Sequence, residues 1–194
     1  MGRRRQDRFG KRARREGFPA RSVYKLQEID RRTQLLRRGQ RVLDLGAAPG
    51  SWTLYAAERV GPGGHVLAID LQELQIAPPP NVEIRQGDAR DIGALGGPFD
   101  VVLSDMAPKT SGQRAADQYR SYELVMTALD IARQTLAPGG SFVAKLFQGP
   151  ELDEARAAMR LLFGKVRILR PEAVRGESYE IFLVGLRHRP PPPP

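Results

Sequence analysis

The sequence of 194 residues contains no cysteine and only two histidines. Without cysteine the chain can form neither disulfides nor cysteine-ligated zinc sites, and it has no cysteine nucleophile. His65 opens an apolar run and His188 lies near the C-terminal end, so neither indicates a catalytic triad or a metal centre. We therefore predict no metal site.

Long apolar runs are also missing. No stretch approaches the roughly 18 residues that a membrane span requires, and the N-terminus lacks the apolar core of a secretory signal. The length suits one domain with one sizeable core. We expect a cytoplasmic protein without membrane contact.

The positive charge is concentrated at the N-terminus. Residues 1–41 carry 15 Arg or Lys and 4 Asp or Glu, whereas the remainder carries 16 and 18. We interpret residues 1–18 as a basic flexible segment, disordered or only loosely helical without a partner. Such a segment is typical of proteins that bind a polyanion, although a solubilising tail remains an alternative.

The remaining pattern predicts an α/β fold, with an open and mostly parallel sheet covered on both faces. A helix is predicted over 19–38, and a short helical turn is possible over 89–95. The connection 170–179 is too short for a crossover helix, so the last strand should be antiparallel to the one before it. The domain spans 19–188, and 189–194 form a proline-rich tail. Strands are predicted at 41–45, 65–70, 82–86, 99–104, 141–147, 165–169 and 180–186, and further helices at 51–60, 118–136 and 151–163.

The stretch 42–52 combines a buried strand, a glycine loop and a helix start. Such a unit attracts an anionic or nucleotide-like ligand to the backbone N–H groups at the helix N-terminus. Gly46 and Gly50 lack the middle glycine of the dinucleotide fingerprint G-x-G-x-x-G. Asp-x-Gly-x-x-Pro-Gly, beginning at Asp44, instead resembles the first motif of S-adenosylmethionine-dependent methyltransferases.

Polar residues stand at the ends of the next four predicted strands, where open α/β sheets bind their ligands. They are Asp70, Asp88, Asp105 and Lys145. Each could be a loop residue or a helix cap alone, but four successive strand ends indicate a site. A lysine is rarely buried unless it is paired, so a structural ion pair between Lys145 and Asp105 remains an alternative.

The chain resembles the FtsJ-type (RlmE/RrmJ) ribosomal RNA 2′-O-ribose methyltransferases over about residues 17–187. The resemblance implies a Rossmann-like fold and a catalytic tetrad of Lys25, Asp105, Lys145 and Glu180. Glu180 is preferred to Glu177 because it directly precedes an apolar run. Ser51 replaces a glycine common in the family, and Lys109 a small polar residue. The matching stretches are 20–26, 44–52, 104–108, 136–142, 145–149 and 178–180.

The resemblance also implies a cofactor and a substrate. The cofactor is S-adenosyl-L-methionine, and the residues that bind it are Gly50, Trp52, Asp70, Asp88 and Asp105. The substrate is a ribose 2′-hydroxyl in RNA, a uridine of large-subunit ribosomal RNA. From the charge distribution we expect the basic N-terminal segment to help bind this RNA, and we expect a monomer.

The residue types suit this chemistry. A neutral Lys145 amine could take the hydroxyl proton, and desolvation or the neighbouring cation Lys25 would favour that neutral form. Lys25 could also hold a phosphate. Asp105 and Glu180 would orient the two lysines, and no metal is needed.

Other functions remain open or are disfavoured by specific features. Methylation of cytosine C5 generally uses a cysteine, and residues 104–108 lack the aromatic residue with which exocyclic-amine methyltransferases stack a base. Transfer RNA as the substrate, a catalytically silent RNA-binding or ribosome-assembly factor, and a small-molecule methyltransferase remain alternatives. The last would not need the basic N-terminus.

Overall fold

A computed structural model describes residues 2–91, 95–174 and 178–190, with side chains described from residue 8 onward. The described chain contains five helices and seven strands. In chain order they are α1 (Gly2–Arg15), α2 (Val23–Thr33), β1 (Arg41–Leu45), α3 (Ser51–Val60), β2 (His65–Asp70), β3 (Val82–Gln86), β4 (Phe99–Ser104), α4 (Arg114–Thr135), β5 (Leu136–Phe147), α5 (Leu152–Leu162), β6 (Phe163–Leu169) and β7 (Glu180–His188).

The seven strands form one sheet in the order β3-β2-β1-β4-β5-β7-β6. The first five strands in this order pair in parallel, whereas β7 is antiparallel to both β5 and β6. The predicted α/β fold and the antiparallel final strand are therefore confirmed. The order reverses between β1 and β4, the position at which open α/β sheets form a ligand crevice.

The predicted helix over 19–38 is too long, because α2 covers only Val23–Thr33. Residues 20–22 precede the helix and contact α3 instead. At the other end, Gln34 adopts a left-handed conformation with φ of 53° and donates its backbone N–H to Asp30 O. The chain leaves the helical path at Gln34, although Leu35 and Leu36 continue the apolar pattern that favoured a longer helix.

Other boundaries differ by a few residues. β5 begins at Leu136 rather than 141, α4 begins at Arg114 rather than 118, and β7 continues to His188. Of the predicted turn over 89–95, residues 92–94 lie outside the described residues, as do Glu177 and the tail from 191 onward.

The basic N-terminal segment is helical in the structure. Ala13 of α1 is fully buried and packs with Val23, Tyr24 and Ala173, and Phe9 packs against the same cluster. The hydroxyl of Tyr24 donates to Glu16 at 2.9 Å. The end of α1 is therefore packed against the domain. The few apolar residues among its arginines, Phe9 and Ala13, make this contact.

The sheet separates two apolar layers. One layer lies between the sheet and helices α4 and α5, and it includes Phe142, Leu183 and Met159. The other lies between the sheet and helices α2 and α3, and it includes Val143, Phe182 and Trp52. Adjacent strand residues such as Phe142 and Val143 fall in opposite layers, as the two-residue repeat of a strand requires. No helix in the described ranges is long and apolar enough to cross a membrane.

A buried carboxylate holds α2, α3 and the chain after α2 together. Asp30 is 2% exposed. Its Oδ1 accepts the backbone N–H of Leu36 at 3.0 Å. Its Oδ2 accepts from the Tyr55 hydroxyl at 2.9 Å and from Arg59 Nε at 3.0 Å. Three separate chain segments therefore depend on one side chain.

We expect Asp30→Ala to lower the free energy of unfolding by about 2–4 kcal/mol, because three donors lose a buried charged acceptor. Urea denaturation monitored by circular dichroism measures the change. The matched control is Asp130→Ala, whose carboxylate is 53% exposed and paired with Arg133. The control should cost under about 1 kcal/mol, and equal losses in both variants would contradict the role of Asp30.

Candidate active site

Two lysines and two carboxylates lie at the carboxyl edge of the sheet, on the face covered by α2 and α3. Lys145 of β5 pairs with Phe182 of β7, and Glu180 pairs with Phe147. Because alternate residues of a strand share a face, Lys145 and Glu180 lie on the same face as Phe182 and Val143. Both of these belong to the layer beneath α2 and α3. Diagonal neighbours across antiparallel strands lie about 7–8 Å apart, within reach of long side chains.

Lys145 forms an ion pair with Asp105. Its Nζ lies 2.9 Å from Asp105 Oδ1 and 2.5 Å from the backbone oxygen of the same residue. The side chains of Lys145 and Asp105 are 8% and 19% exposed. Asp105 directly follows β4 and is tied to β1 by its backbone N–H, which donates to Leu45 O at 3.2 Å. The ion pair between Lys145 and Asp105 that the sequence allowed is therefore present. The Asp105 carboxylate remains partly exposed to solvent.

Lys25 forms a second, similar ion pair with Glu180. Lys25 Nζ lies 2.5 Å from Glu180 Oε1, and the side chains are 11% and 12% exposed. The same Nζ lies 5.8 Å from the centre of the Phe182 ring. Phe182 is the strand partner of Lys145, so the second pair lies next to the first on the same face. The structure thus brings together the four residues of the predicted tetrad.

In the loop between β1 and α3, other residues pack against two glycines so closely that a side chain at either position would clash. A Cβ atom on Gly46 would lie 2.9 Å from the backbone of Met106. Gly50 has φ of 110°, and a Cβ there would lie 2.7 Å from Ile76. The backbone N–H groups of Gly46 and Ala47 donate to Ile69 O at 2.9 and 3.1 Å. Only glycine permits this cradle of backbone beside Asp105.

Asp70 contacts the glycine loop, and Asp88 follows β3, the next strand of the sheet. Asp70 Oδ2 accepts the backbone N–H of Ala48 at 2.9 Å, and its Oδ1 accepts that of Gln72 at 2.8 Å. Each oxygen retains a lone pair for a further donor. Asp88 is held by Arg90, whose hydrogen bonds lower the pKa of the Asp88 carboxyl to about 2. A ligand that uses the Asp88 side chain must therefore share it with Arg90.

Comparison with known proteins accounts for this arrangement. The model of the family described as FtsJ-like methyltransferase matches residues 18–188. The chain belongs to the FtsJ-like methyltransferase family. The ribosomal RNA large subunit methyltransferase E of Sorangium cellulosum is 56% identical over 189 residues, which are 95% of this chain and 89% of the relative. The protein of the same name from Oleidesulfovibrio alaskensis is 50% identical over 188 residues, 93% of this chain and 91% of that one.

A solved structure extends the comparison to the fold. A Plasmodium falciparum protein assigned to the ribosomal RNA methyltransferases superposes with a TM-score of 0.76 at 26% identity. The match covers 88% of this chain and 99% of that one. The predicted Rossmann-like methyltransferase fold is therefore confirmed.

Two positions within the FtsJ-like motifs anchor the segment that leads into α2, a role that the sequence did not reveal. Ser51 Oγ accepts the backbone N–H of Ala20 at 2.8 Å and donates to its carbonyl at 3.1 Å. Trp52 Nε1 donates to Ser22 O at 2.9 Å. These bonds fix the start of α2 and with it Lys25. The serine that replaces the family glycine thus has a structural partner of its own.

The side chain of Trp52 is 2% exposed and packs on Phe182, with ring centres 5.8 Å apart. The ring therefore faces the core and does not face the surface beside the glycine loop. The predicted cofactor contact of Trp52 would therefore have to be made by its backbone N–H. This N–H lies in the first turn of α3 and has no hydrogen-bond partner within the helix. Lys109, the other departure from the family pattern, is exposed beyond Asp105.

The structure contains no group of three or more His, Asp or Glu side chains, within its described residues, that could hold a metal ion. The cleft is instead defined by lysines, carboxylates and backbone N–H groups. These groups can bind, orient and exchange protons with a polar substrate.

Asp44 is the one fully buried carboxyl of this region. Thr53 Oγ1 donates to its Oδ2 at 2.7 Å, and its Oδ1 has no hydrogen-bond partner. Burial raises the pKa of Asp44 to about 7, although the Thr53 hydrogen bond lowers it and the charges of Asp105 and Asp70 raise it further. Asp44 thus changes charge near neutral pH beneath the glycine loop.

This shift predicts a pH-dependent stability. Between about pH 4 and 7 the folded protein keeps a proton on Asp44 that the unfolded chain has lost, so this residue makes stability fall as pH rises through that window. The slope is at most about 1.4 kcal/mol per pH unit. Asp44→Asn cannot ionise, and its free energy of unfolding should rise relative to wild type from pH 4 to pH 7, then stay constant.

Urea denaturation of both proteins from pH 4 to above pH 7 measures the difference between their free energies of unfolding. The contributions of the other titrating groups cancel in this difference because both proteins share them. Parallel curves for wild type and Asp44→Asn would contradict a raised pKa at this position.

Proposed function

We propose that this chain transfers the methyl group of S-adenosyl-L-methionine to a ribose 2′-hydroxyl of large-subunit ribosomal RNA, at a uridine. The observation that carries the proposal is the placement of two lysine–carboxylate pairs beside a glycine cradle at one edge of the sheet. Relatives 50% and 56% identical are ribosomal RNA large subunit methyltransferases, which supports ribosomal RNA as the substrate class.

The residues around the glycine loop fit S-adenosylmethionine. The cradle of Gly46 and Gly50 leaves room for the methionine part close to the backbone, and Asp70 has acceptor capacity for ribose hydroxyls. Leu71 follows Asp70 and is 70% exposed, which leaves an apolar side chain at the rim for the base. When bound, this cofactor supplies a methyl group already activated by its positive sulfur.

The tetrad then has to align and deprotonate the 2′-hydroxyl. Lys145 is the residue we assign to the proton, because it lies at the strand end next to the cradle and beside Asp105. Asp105 holds the Nζ atom of Lys145 through both its carboxylate and its carbonyl, which limits the directions in which the amine can point. Lys25, held by Glu180, places a second cation close by for a substrate phosphate.

A cleft at the same edge of the sheet, lined in part by Arg114 and Gln118 of α4, supports an RNA substrate. It has a volume of about 560 Å³ and includes Gln148, which follows β5, and Tyr179, which precedes Glu180. The guanidinium of Arg114 lies 5.0 Å from the centre of the Tyr179 ring. A cation stacked on an aromatic ring can contact both a phosphate and a base. We propose that the neighbouring nucleotide binds here.

We further propose that the protein acts as a cytoplasmic monomer, since one chain supplies all four tetrad residues. Incubation with labelled cofactor, followed by mass-spectrometric mapping of methyl groups in ribosomal and transfer RNA, tests the substrate. A methyl group on the 2′-oxygen of a large-subunit uridine is expected. Methylation confined to transfer RNA, or to a base, would refute the proposal.

Lys145→Ala should lower the rate of methyl transfer by about 10²–10⁴-fold, the usual contribution of a positioned acid or base. Lys145→Arg should not restore the rate, because a guanidinium stays protonated and cannot accept the proton. Single-turnover transfer from labelled cofactor measures both variants, and calorimetric cofactor binding serves as the control for an intact site. Near-normal turnover by Lys145→Arg would limit Lys145 to an electrostatic role.

We also propose that α1 contacts the RNA backbone. Arg8, Arg14 and Arg15 are exposed, whereas Ala13 and Phe9 attach the helix to the domain. Replacing these three arginines by glutamine removes charge without removing the packed residues. RNA affinity should fall, and the slope of log affinity against log salt should flatten by about 0.7–0.9 for each phosphate that α1 no longer neutralises.

Fluorescence anisotropy across a salt series measures this slope, while cofactor affinity should not change. A slope equal to that of wild type would assign α1 a merely solubilising role.

A further inference from the structure

A second concave surface lies at the opposite edge of the sheet from the tetrad. It has a volume of about 460 Å³ and lies between the end of α2, residues 138–141 of β5 and the paired ends of β6 and β7. We call it the basic pocket, and its defining residues are Arg31, Arg32, Arg37, Lys165, Arg167 and Arg187. Along β5, the four steps from Ser141 to Lys145 separate it from the tetrad by about 13 Å.

The charges of this pocket are not balanced within the described chain. The one carboxylate that lines it, Asp100, accepts the backbone N–H of Arg41 at 2.8 Å. Arg32 is paired with Glu28 at 3.2 Å, and Arg167 donates to the backbone oxygen of Arg32 at 3.0 Å. These three contacts leave most of the positive charge of the pocket uncompensated.

The four remaining cations, Arg31, Arg37, Lys165 and Arg187, are exposed. Their side chains form no ion pair with any residue that the structure describes. Clustered like charges repel one another, so an arrangement of this kind is stabilised by an anion from outside the chain.

The backbone of the pocket is also unusual. Gln34 and Arg187, with φ of 53° and 64°, are the two non-glycine residues with positive φ in the described ranges, and both line this pocket. Gln34 has a local reason, because it caps α2. Arg187 lies in β7 between Leu186 and His188, both of which are paired with β6. Such residues are energetically unfavourable and are concentrated at functional sites.

The chemistry of the pocket favours phosphate. Planar guanidinium groups donate two parallel hydrogen bonds to phosphate oxygens, and a lysine adds a point charge. A phosphodiester backbone presents a row of such anions to arginines that come from different elements.

We infer that the basic pocket binds backbone phosphates of a second segment of the RNA substrate, at the edge of the sheet remote from methyl transfer. The inference rests on the proposed function for the identity of the RNA. It implies that a long, folded RNA occupies both edges, whereas a short oligonucleotide at the tetrad does not reach the pocket.

The test removes two of the exposed cations and measures binding rather than catalysis. Arg37→Gln/Lys165→Gln should bind protein-free large-subunit ribosomal RNA about 10-fold more weakly at low salt, with a salt slope smaller by about 1.4–1.8. Affinity for a two-nucleotide RNA, which is too short to span the distance from the tetrad, and for S-adenosylmethionine should stay at the wild-type value. Acetylation of Lys165 by acetic anhydride, which transfers an acetyl group to the amine and releases acetate, should be blocked by the long RNA in wild type and is read by mass spectrometry.

The matched control is Arg156→Gln/Arg160→Gln, which removes the same charge from α5 outside the pocket. This control should bind the long RNA like wild type. Equal losses in the two double variants would overturn the inference, because net charge alone would then explain them. The inference would also be overturned if Arg37→Gln/Lys165→Gln lost affinity only for assembled ribosomal subunits and not for protein-free RNA. The pocket would then bind ribosomal protein instead of RNA. Failure of wild type to transfer a methyl group would refute the proposed function without altering these binding results.

Discussion

The insertion of β7 between β5 and β6 is the constraint on which the candidate site depends. Because β7 runs antiparallel to β5, its first residue, Glu180, lies at the same edge as the ends of the parallel strands. The register pairs Phe182 with Lys145, and this sets the face on which the two meet. A shift of one residue would turn Glu180 toward the layer under α4 and α5, where no lysine of the tetrad lies.

The remaining cation of the tetrad comes from outside the sheet and depends on side-chain anchors. Ser51 and Trp52 hold the residues before α2, and Asp30 ties its C-terminal half to α3. The helix that carries Lys25 is thus fastened at both ends to the helix that begins at the glycine loop. This connects the geometry of the two lysine–carboxylate pairs with that of the glycine loop, so a change in α3 acts on both.

The charge distribution separates three regions of the surface. The tetrad pairs each lysine with a carboxylate, which keeps the candidate site nearly neutral overall. The basic helix α1 and the basic pocket carry positive charge without enough carboxylates to balance it. Under the proposed function, these basic surfaces attract the RNA backbone, and the paired groups between them supply the directional contacts that orient one hydroxyl.

The sequence by itself determined the α/β pattern, the antiparallel final strand and the residue types of the tetrad, because these depend on local periodicity, connection length and motif order. It also located Gly50 and Asp70 at the ends of elements where ligands bind. Only the tertiary structure decided that α2 ends at Thr33, that Trp52 turns its ring into the core, and that Asp44 and Asp30 are buried. It also decided that cations from α2, β6 and β7 share one pocket. Contacts between distant segments set each of these outcomes, and no local pattern of residues encodes such contacts.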